Sequence, residues 1–233
     1  MCVAAIAWSA HPEWTLVAIG NRDEYHARPA APLTRWDNGI LAGRDLEAGG
    51  TWLGVSPGRF ALVTNRRAEG YPRAGMASRG GLVIGWLQSE DPRNTAAMNP
   101  FNLFTASPGG ARLETNFPTA ESHMLPPGIH GLSNGGLDER WHKITRLEGA
   151  LANWLQAGQA PAVLLDALAD ETPDPADPDN FLSPPFIRNP GYGTRCSSVI
   201  AVKADGRGTI IERRFDELGP VTGETELDFV WQT

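Results

Sequence analysis

The chain has 233 residues, 41% of them hydrophobic, and its 20 basic and 27 acidic side chains give a net charge of −7. Because this length supports a sizeable core and no repeat or low-complexity tract divides it, we expect one domain, residues 1–233. An acidic chain without a basic stripe argues against a nucleic-acid partner, and the scattered cations Arg66, Arg67, Arg73 and Arg79 are expected to face solvent. No stretch approaches the ~18 apolar residues of a membrane helix and no secretory signal is recognisable, so we expect a cytoplasmic protein without a transmembrane segment.

Short strands are predicted for the first third of the chain. Residues 2–9 and 15–25 are apolar runs around the polar turn HPEW, a pattern typical of a β-hairpin. Three further runs, 39–45, 51–56 and 59–65, are bounded by Gly, Pro, Asn or Asp. The last two are joined by the tight turn SPGR, so we predict that they form an antiparallel hairpin.

The middle of the chain predicts a helix and then another hairpin. Residues 80–90 fit a helix, with Ser78 as a candidate N-cap and Pro92 just beyond its end. The runs 101–106 and 111–116 flank a Pro-Gly-Gly turn and are therefore predicted to pair as strands.

The strongest helical pattern lies at 139–157, where apolar residues recur at intervals of three and four. A second helix is predicted at 162–169, directly after Pro161. The following stretch, 172–190, contains six prolines and little apolar periodicity, so we interpret it as a long surface loop. Loops of this length are either functional lids or disordered segments, and the sequence does not distinguish the two.

The chain then returns to strands, which are predicted at 193–204, 208–217 and 225–231. The order of strands, then helices, then strands predicts an α+β fold of mostly antiparallel sheets, which stack face to face under outer helices. Alternating strands and helices, which would indicate a parallel sheet, are absent from the pattern.

The most informative residue is Cys2. Removal of Met1 would leave a thiol and a free α-amino group on this residue, which is a nucleophile with its own base. An α-amine with a pKa of about 8 is well matched to a thiol with a pKa of about 8.5. The alternative is that Cys2 is a small buried residue of the first strand. With Cys196 it forms no metal-ligand spacing, so we expect two free thiols in a reducing cytosol.

Four polar segments follow or end predicted strands, where side chains are held rigidly and can face a cleft. An arginine such as Arg22 near Cys2 would lower the thiol pKa and hold a substrate carboxylate or carbonyl. Asp23 would orient the α-amino group, and amide groups of Asn65 and Asn134 would stabilise an oxyanion. These segments are residues 21–24, 64–66, 133–134 and 194–196.

Each candidate also has a structural alternative. Residues 22–24 can form an ion-pair network that ends a strand, and asparagines such as Asn65 and Asn134 often satisfy turns. Because side chains alternate along a strand, only one of Arg195 and Cys196 is expected to face the cleft.

We consider four further residues as ligand-binding candidates. They are Asn21, Glu24, Trp52 and Arg66. Trp52 follows two glycines, which would let a flat ligand approach, although a core role for its indole is the commoner outcome. The five histidines show no metal spacing, so we predict no metal site, and His130 and His142 are the two to test for iron ligation.

Five ordered segments carry a resemblance to a known family. They are NRDEYHARP, AGRDLEAGGTWLGV, ALVTNRR, GLSNGGLDERWHK and YGTRCSS. In this order they resemble the NRDE family, whose eukaryotic members are called transport and Golgi organization protein 2. The resemblance implies a four-layer αββα sandwich of the N-terminal-nucleophile hydrolase type.

The family is similar in outline to cysteine amidohydrolases such as penicillin V acylase and bile salt hydrolase. That similarity implies catalytic roles for six residues, namely Cys2, Arg22, Asp23, Asn65, Asn134 and Arg195. In the acylases the arginine and the aspartate are separated by two residues, whereas Arg22 and Asp23 are adjacent and would point to opposite faces of a regular strand. Glu24 would then share the face of Arg22.

Two functions from different classes follow from these observations. The first is an N-terminal-nucleophile cysteine amidohydrolase that cleaves a linear C–N amide of a small molecule and requires no cofactor. The second is a non-catalytic protein on the same scaffold that binds and carries haem or acyl-CoA, because members of the family have been linked to haem trafficking and to lipid homeostasis. Under the second hypothesis, Arg22 and Arg195 clamp carboxylates or phosphates of the ligand.

Overall fold

Two antiparallel sheets carry most of the chain in the computed structural model, which describes residues 2–90 and 95–232. The strands are β1 (Cys2–His11), β2 (Trp14–Tyr25), β3 (Ala30–Arg35), β4 (Leu41–Asp45), β5 (Leu53–Ser56), β6 (Arg59–Asn65), β7 (Phe101–Ser107), β8 (Gly110–Thr115), β9 (Glu121–Leu125), β10 (Gly128–Leu132), β11 (Tyr192–Lys203), β12 (Arg207–Phe215) and β13 (Val221–Val230). The helices are α1 (Gly80–Leu87), α2 (His142–Ala157) and α3 (Leu164–Leu168), with 3₁₀ turns at Thr95–Ala97 and Pro161–Val163.

The six-stranded sheet has the spatial order β10-β1-β2-β11-β12-β13, and the seven-stranded sheet has the order β3 to β9. Every pairing between these strands is antiparallel. The predicted α+β class with mostly antiparallel sheets is therefore confirmed. No helix within residues 2–90 and 95–232 is long and apolar enough to cross a membrane.

Three hydrophobic clusters show how the sheets and helices stack. The first lies between the two sheets and includes Ile6 and Phe60. The second joins the outer face of the six-stranded sheet to α2 and α3, and includes Val3 and Leu151. The third joins the outer face of the seven-stranded sheet to α1, and includes Leu82. Because successive residues of a strand point to opposite faces, β1 contributes its even positions to the first cluster and its odd positions to the second.

Two helix predictions need correction. The N-cap of α1 is Arg79, which already has helical dihedral angles, whereas Ser78 only accepts the Gly81 N–H on its carbonyl oxygen at 3.3 Å. The helix ends at Leu87, before the predicted boundary, and Pro92 lies outside the described residues. The predicted helix 162–169 is a 3₁₀ turn followed by the five residues of α3.

Strands β3, β9 and β10 are absent from the sequence prediction. Their sequences, AAPLTR, ESHML and GIHGL, combine proline, glycine or charge with few β-branched residues, so they carry little strand signal of their own. They pair because a neighbouring strand presents a free edge, as when β10 adds to β1 with Ala4 opposite Leu132. This tertiary pairing is what brings the segment after Leu132 next to Cys2.

The loop 172–190 contains no regular strand or helix, as predicted. Its last part packs on the helix-covered face of the six-stranded sheet, where Phe186 and Ile187 are buried. The Asn21 amide donates to the Pro185 carbonyl oxygen at 2.9 Å and fixes this part of the loop to β2.

A contact between two glycines joins the start of α1 to the seven-stranded sheet. A Cβ atom on Gly50 would lie 2.8 Å from both the Cα and the carbonyl carbon of Gly80, which is closer than atoms can approach. A Cβ atom on the neighbouring Gly81, by contrast, would meet no atom within 4 Å.

We therefore expect Gly50→Ala to destabilise the protein by about 1–3 kcal/mol, because the backbone of α1 would have to move. The control Gly81→Ala fills open space within the helix and should leave the stability unchanged or raise it by about 0.5–1 kcal/mol. Urea unfolding of both variants measures the difference, and equal midpoints would contradict the close contact between Gly50 and Gly80.

Candidate functional site

A cavity of about 810 Å³ lies between the sheets, where β1 begins, and the segment before α1 forms part of its wall. Within the described residues, seven arginines and five acidic residues line it. The arginines are Arg22, Arg28, Arg44, Arg73, Arg79, Arg195 and Arg214, and the acidic residues are Asp23, Glu24, Asp45, Glu47 and Glu212. A protein of net charge −7 thus surrounds a cavity with an excess of cations.

Strand register places the two cysteines on either side of Arg22. Cys2 of β1 lies opposite Arg22 of β2, which in turn lies opposite Cys196 of β11, and Cys196 lies opposite Arg214 of β12. All four residues line the cavity. Both cysteines are free and buried.

Arg22 is an ion-paired residue of the cavity wall. Its guanidinium lies 3.3 Å from Asp45 and 3.8 Å from Glu24, and Arg28 also contacts Asp45, at 2.7 Å. The shared face predicted for Arg22 and Glu24 is thus present in the structure. Arg28 is the strongest partner of Asp45 because its Nε donates directly to the carboxylate, and this bond helps hold the Asp45 pKa below its usual value against the opposing effect of burial.

Asp23 borders the cavity, but its carboxylate is directed away from Arg22, toward Thr194 and Lys143 on the helix-covered side of β2. It is 1% exposed, and its Oδ1 accepts a hydrogen bond from the Thr194 hydroxyl at 2.8 Å. Burial raises the pKa of Asp23, while the nearby ammonium of Lys143 on α2 opposes that rise. Lys143 is itself 1% exposed, donates to the Leu182 carbonyl at 3.3 Å, and has a pKa lowered by burial. Asp23 and Lys143 are therefore two ionisable groups that lie buried behind the sheet.

A β-bulge changes the orientation of Arg195. The register passes from Thr194 opposite Asp23 to Cys196 opposite Arg22, so Arg195 is an extra residue in β11. Strict alternation predicted that only one of Arg195 and Cys196 faces the cleft, and this is wrong, because the bulge lets both line the cavity. The Arg195 guanidinium donates from Nη1 to the carbonyl oxygens of Tyr25 and Arg28 at 2.8 and 3.0 Å.

Cys2 is held at both backbone polar groups. Its N–H donates to the Asn134 side-chain oxygen at 3.4 Å, and its carbonyl oxygen accepts from the Ser133 hydroxyl at 2.9 Å. Burial raises the pKa of the thiol, the Asp23 carboxylate acts in the same direction, and Arg22 opposes both. This environment therefore favours the neutral thiol over the thiolate.

The two asparagines have different positions. Asn134 is fully buried, lies outside the cavity lining, and donates from Nδ2 to the Asn65 carbonyl oxygen at 2.6 Å. The Asn65 side chain is exposed and lines the cavity. Asn134 thus connects the backbone of β6 to the backbone of Cys2, and Asn65 is the member of the pair that lines the cavity.

Of the ligand-binding candidates, Glu24 and Trp52 line the cavity, while Asn21 and Arg66 do not. Asn21 is fully buried under the helices, where its amide also donates to the Leu168 carbonyl at 2.8 Å. Arg66 donates to the Thr115 hydroxyl at 3.1 Å, away from the cavity. Trp52 is half-buried and packs against β2, where its ring would lie 3.2 Å from a Cβ atom on Gly20.

Sequence patterns did not reveal the roles of Arg79 and Lys143. Arg79 was expected to face solvent, yet it lines the cavity, because it directly precedes the glycine that packs against Gly50. The glycine pair after Arg79 was the available signal, since it indicates a close backbone approach. Lys143 carried no signal, because a lysine on an amphipathic helix is normally exposed.

The described residues, 2–90 and 95–232, contain no group of three or more His, Cys, Asp or Glu side chains that could hold a metal ion. His130 contacts the Pro126 carbonyl oxygen through Nε2 at 2.9 Å, and His142 is the first residue of α2. Neither histidine lines the cavity, and no residue of the loop 172–190 does so either.

These features define an α+β protein with two antiparallel sheets and an arginine-rich cavity beside the cysteine that begins its first strand. The chain belongs to the family described as Transport and Golgi organisation 2, whose family model matches residues 1–217. It is 31% identical to the human Transport and Golgi organization protein 2 homolog, over 91% of this chain and 92% of the relative. It is 30% identical to the Bos taurus homolog, over 97% of each, and 23% identical to the Drosophila melanogaster protein, over 94% of each.

The raised pKa of Cys2 predicts its reactivity with iodoacetamide as a function of pH. Because burial favours the neutral thiol, the midpoint of the alkylation rate in a chain retaining Met1 should lie above that of free cysteine, at about 8.5. Arg22→Met removes a cation that stabilises the thiolate, so it should move the midpoint further upward. Peptide mass mapping distinguishes Cys2 from Cys196. A midpoint below that of free cysteine would contradict the environment described for Cys2.

Proposed function

We propose that this protein is an N-terminal-nucleophile cysteine amidohydrolase that acts on a linear C–N amide, built as one domain on a four-layer αββα sandwich of that class. One observation carries the proposal: the Cys2 side chain lines the cavity while its backbone nitrogen is held by the Asn134 side-chain oxygen. After removal of Met1, that nitrogen becomes a free amine beside the thiol. Asn134 would then orient the base rather than stabilise the oxyanion.

Because the thiol pKa is raised, the reaction needs this base. The neutral α-amine of Cys2 takes the thiol proton, and the sulfur attacks the amide carbonyl carbon to form a tetrahedral oxyanion. In this mechanism the side chain of Asn65, an exposed residue of the cavity lining, donates to that oxygen. The C–N bond then breaks, the leaving amine takes the proton from the α-ammonium, and a thioester remains on Cys2.

Water completes the cycle. The α-amine accepts a proton from water as the oxygen attacks the thioester carbonyl, and collapse of the second tetrahedral intermediate expels the Cys2 sulfur. The sulfur regains its proton from the α-ammonium, and the acid product leaves. In this sequence Arg22, held by Asp45 and Glu24, keeps a fixed positive charge opposite Cys2.

The test combines intact-mass measurement with release of primary amine from a panel of N-acyl amino acids. We expect active protein to lack Met1, and Cys2→Ala to lower the rate about a thousandfold or more. Cys196→Ala is the matched control, because it removes the other cavity thiol and should retain activity. Full activity in protein that still carries Met1, or in the Cys2→Ala variant, would exclude this mechanism.

A second candidate function is non-catalytic binding and transport of haem or an acyl-CoA. It is favoured by the size of the cavity, its excess of arginines and the raised thiol pKa, which opposes nucleophilic chemistry. Trp52 offers a flat apolar surface, and Cys2, Cys196 and Met76 are lining residues whose sulfur atoms can ligate iron. No histidine among the described residues lines the cavity.

Spectroscopic titration with haemin and with palmitoyl-CoA tests the second candidate. If the protein is a carrier, saturable binding should persist in Cys2→Ala and no primary amine should be released by the wild type. A covalent adduct that disappears with Cys2→Ala would instead support the hydrolase. The absence of saturable binding for both compounds would exclude this carrier function.

A further inference from the structure

The arginines of the cavity fall into groups that differ in how their charge is compensated. Arg22, Arg28 and Arg214 each contact a carboxylate, with Arg214 lying 3.2 Å from Glu212. Arg44 and Arg73 are exposed and lie over aromatic rings at the cavity margin. These five are satisfied by solvent or by neighbouring side chains.

Arg79 and Arg195 are different. Arg79 donates from Nη1 to the Pro100 carbonyl oxygen at 3.2 Å, and Arg195 donates only to the carbonyl oxygens of Tyr25 and Arg28. In the part of the chain that the structure describes, neither forms an ion pair with a carboxylate, and the buried Nε of Arg195 has no hydrogen-bond partner. Both are only partly exposed in the cavity wall.

The carboxylates that could neutralise these two cations are already engaged. Asp45 binds Arg28 and Arg22, Glu212 accepts the Leu33 N–H at 2.8 Å as well as Arg214, and Asp23 points behind the sheet. Glu24 lies between Arg22 and Arg28, at 3.8 and 4.0 Å. Glu47 pairs with Arg28 at 3.2 Å. Within the described residues, none of these five carboxylates therefore pairs with Arg79 or Arg195.

An uncompensated guanidinium in a protein wall is costly, because it loses hydration without gaining a counter-charge. Consistent with this, burial lowers the pKa of both Arg79 and Arg195, and for each the charge of Glu24 acts in the opposite direction. Both guanidinium-bearing residues line the same cavity, Arg79 from the segment before α1 and Arg195 from the bulge of β11. A bound anion would remove the cost at both positions.

We propose that Arg79 and Arg195 form an anion subsite, so that the substrate or ligand of this cavity carries a carboxylate or phosphate group. This inference rests on the proposed function only where it calls the bound molecule a substrate. The subsite binds an anion whether or not Cys2 reacts. It also assigns ligand charge recognition to Arg79 in place of Arg22, whose guanidinium already lies 3.3 Å from Asp45 and 3.8 Å from Glu24.

The experiment measures binding by calorimetry at low ionic strength in a Cys2→Ala background, so that turnover does not interfere. The probes are N-acetylglycine, its neutral isostere N-acetylglycinamide, and inorganic phosphate. We expect at least one anion to bind about tenfold more tightly than the neutral amide, because charge-assisted hydrogen bonds to arginine are strong. Comparison of the affinities for N-acetylglycine and inorganic phosphate shows which anion the cavity prefers.

The variants Arg79→Met and Arg195→Met should each weaken anion binding about tenfold while leaving the binding of the neutral amide unchanged. The control Arg213→Met removes the same charge from a neighbouring strand outside the cavity, where Arg213 pairs with Glu224, and should change the affinity less than about twofold. Because Arg195 also anchors two carbonyl groups, its variant can lose the fold. In that case the anion affinity of Arg79→Met decides whether the subsite exists. We expect Arg79→Lys to retain part of the affinity for the anion.

Equal affinities for both anions and the neutral amide would overturn the subsite, as would a loss in Arg213→Met that matches the loss in Arg79→Met. Suppose that anion binding depends on Arg79 but the wild-type protein releases no amine. This result would support the subsite and contradict only the proposed hydrolase activity. The two proposals therefore fail separately.

Discussion

The pairing of β2 with β1 on one side and β11 on the other is the constraint on which the site depends. This register places Arg22 between Cys2 and Cys196 and turns all three toward the space between the sheets. The same register turns Asn21 and Asp23 toward the helices. A shift of one residue would exchange these two sets, which would bury Arg22 under α2 and turn the side chains of Asn21 and Asp23 toward the space between the sheets.

The charges around the cavity are arranged in two layers that have different roles. In front of the sheet, Arg22 and Arg28 both pair with Asp45 in the cavity wall. Behind the sheet, Asp23 and Lys143 are buried among the helices. Within the described residues, Arg79 and Arg195 are partly buried in the cavity wall and form no ion pair with a carboxylate, so our proposal assigns anion binding to these two side chains.

The N-terminal hairpin, the amphipathic helix α2 and the strands of the last third were predictable, because their periodicity is strong and local. The opposite faces of Arg22 and Asp23 were predictable for the same reason, since alternation is a property of any regular strand. The bulge at Arg195 was not, because it depends on how β11 pairs with β2 and has no signature in the residues themselves. Strand β10 was also missed, although its pairing brings Asn134 to Cys2.

The class of fold, the positions of most strands and the residue types available for chemistry follow from local pattern, because hydrophobic periodicity and side-chain chemistry are local properties. The tertiary structure alone decided which of those residues share a cavity and which charges are neutralised within it. Those outcomes depend on contacts between segments far apart in the chain, such as Arg22 with Asp45 or Asn134 with Cys2. A guanidinium acts as a structural ion pair or as a binding group according to whether a carboxylate lies beside it.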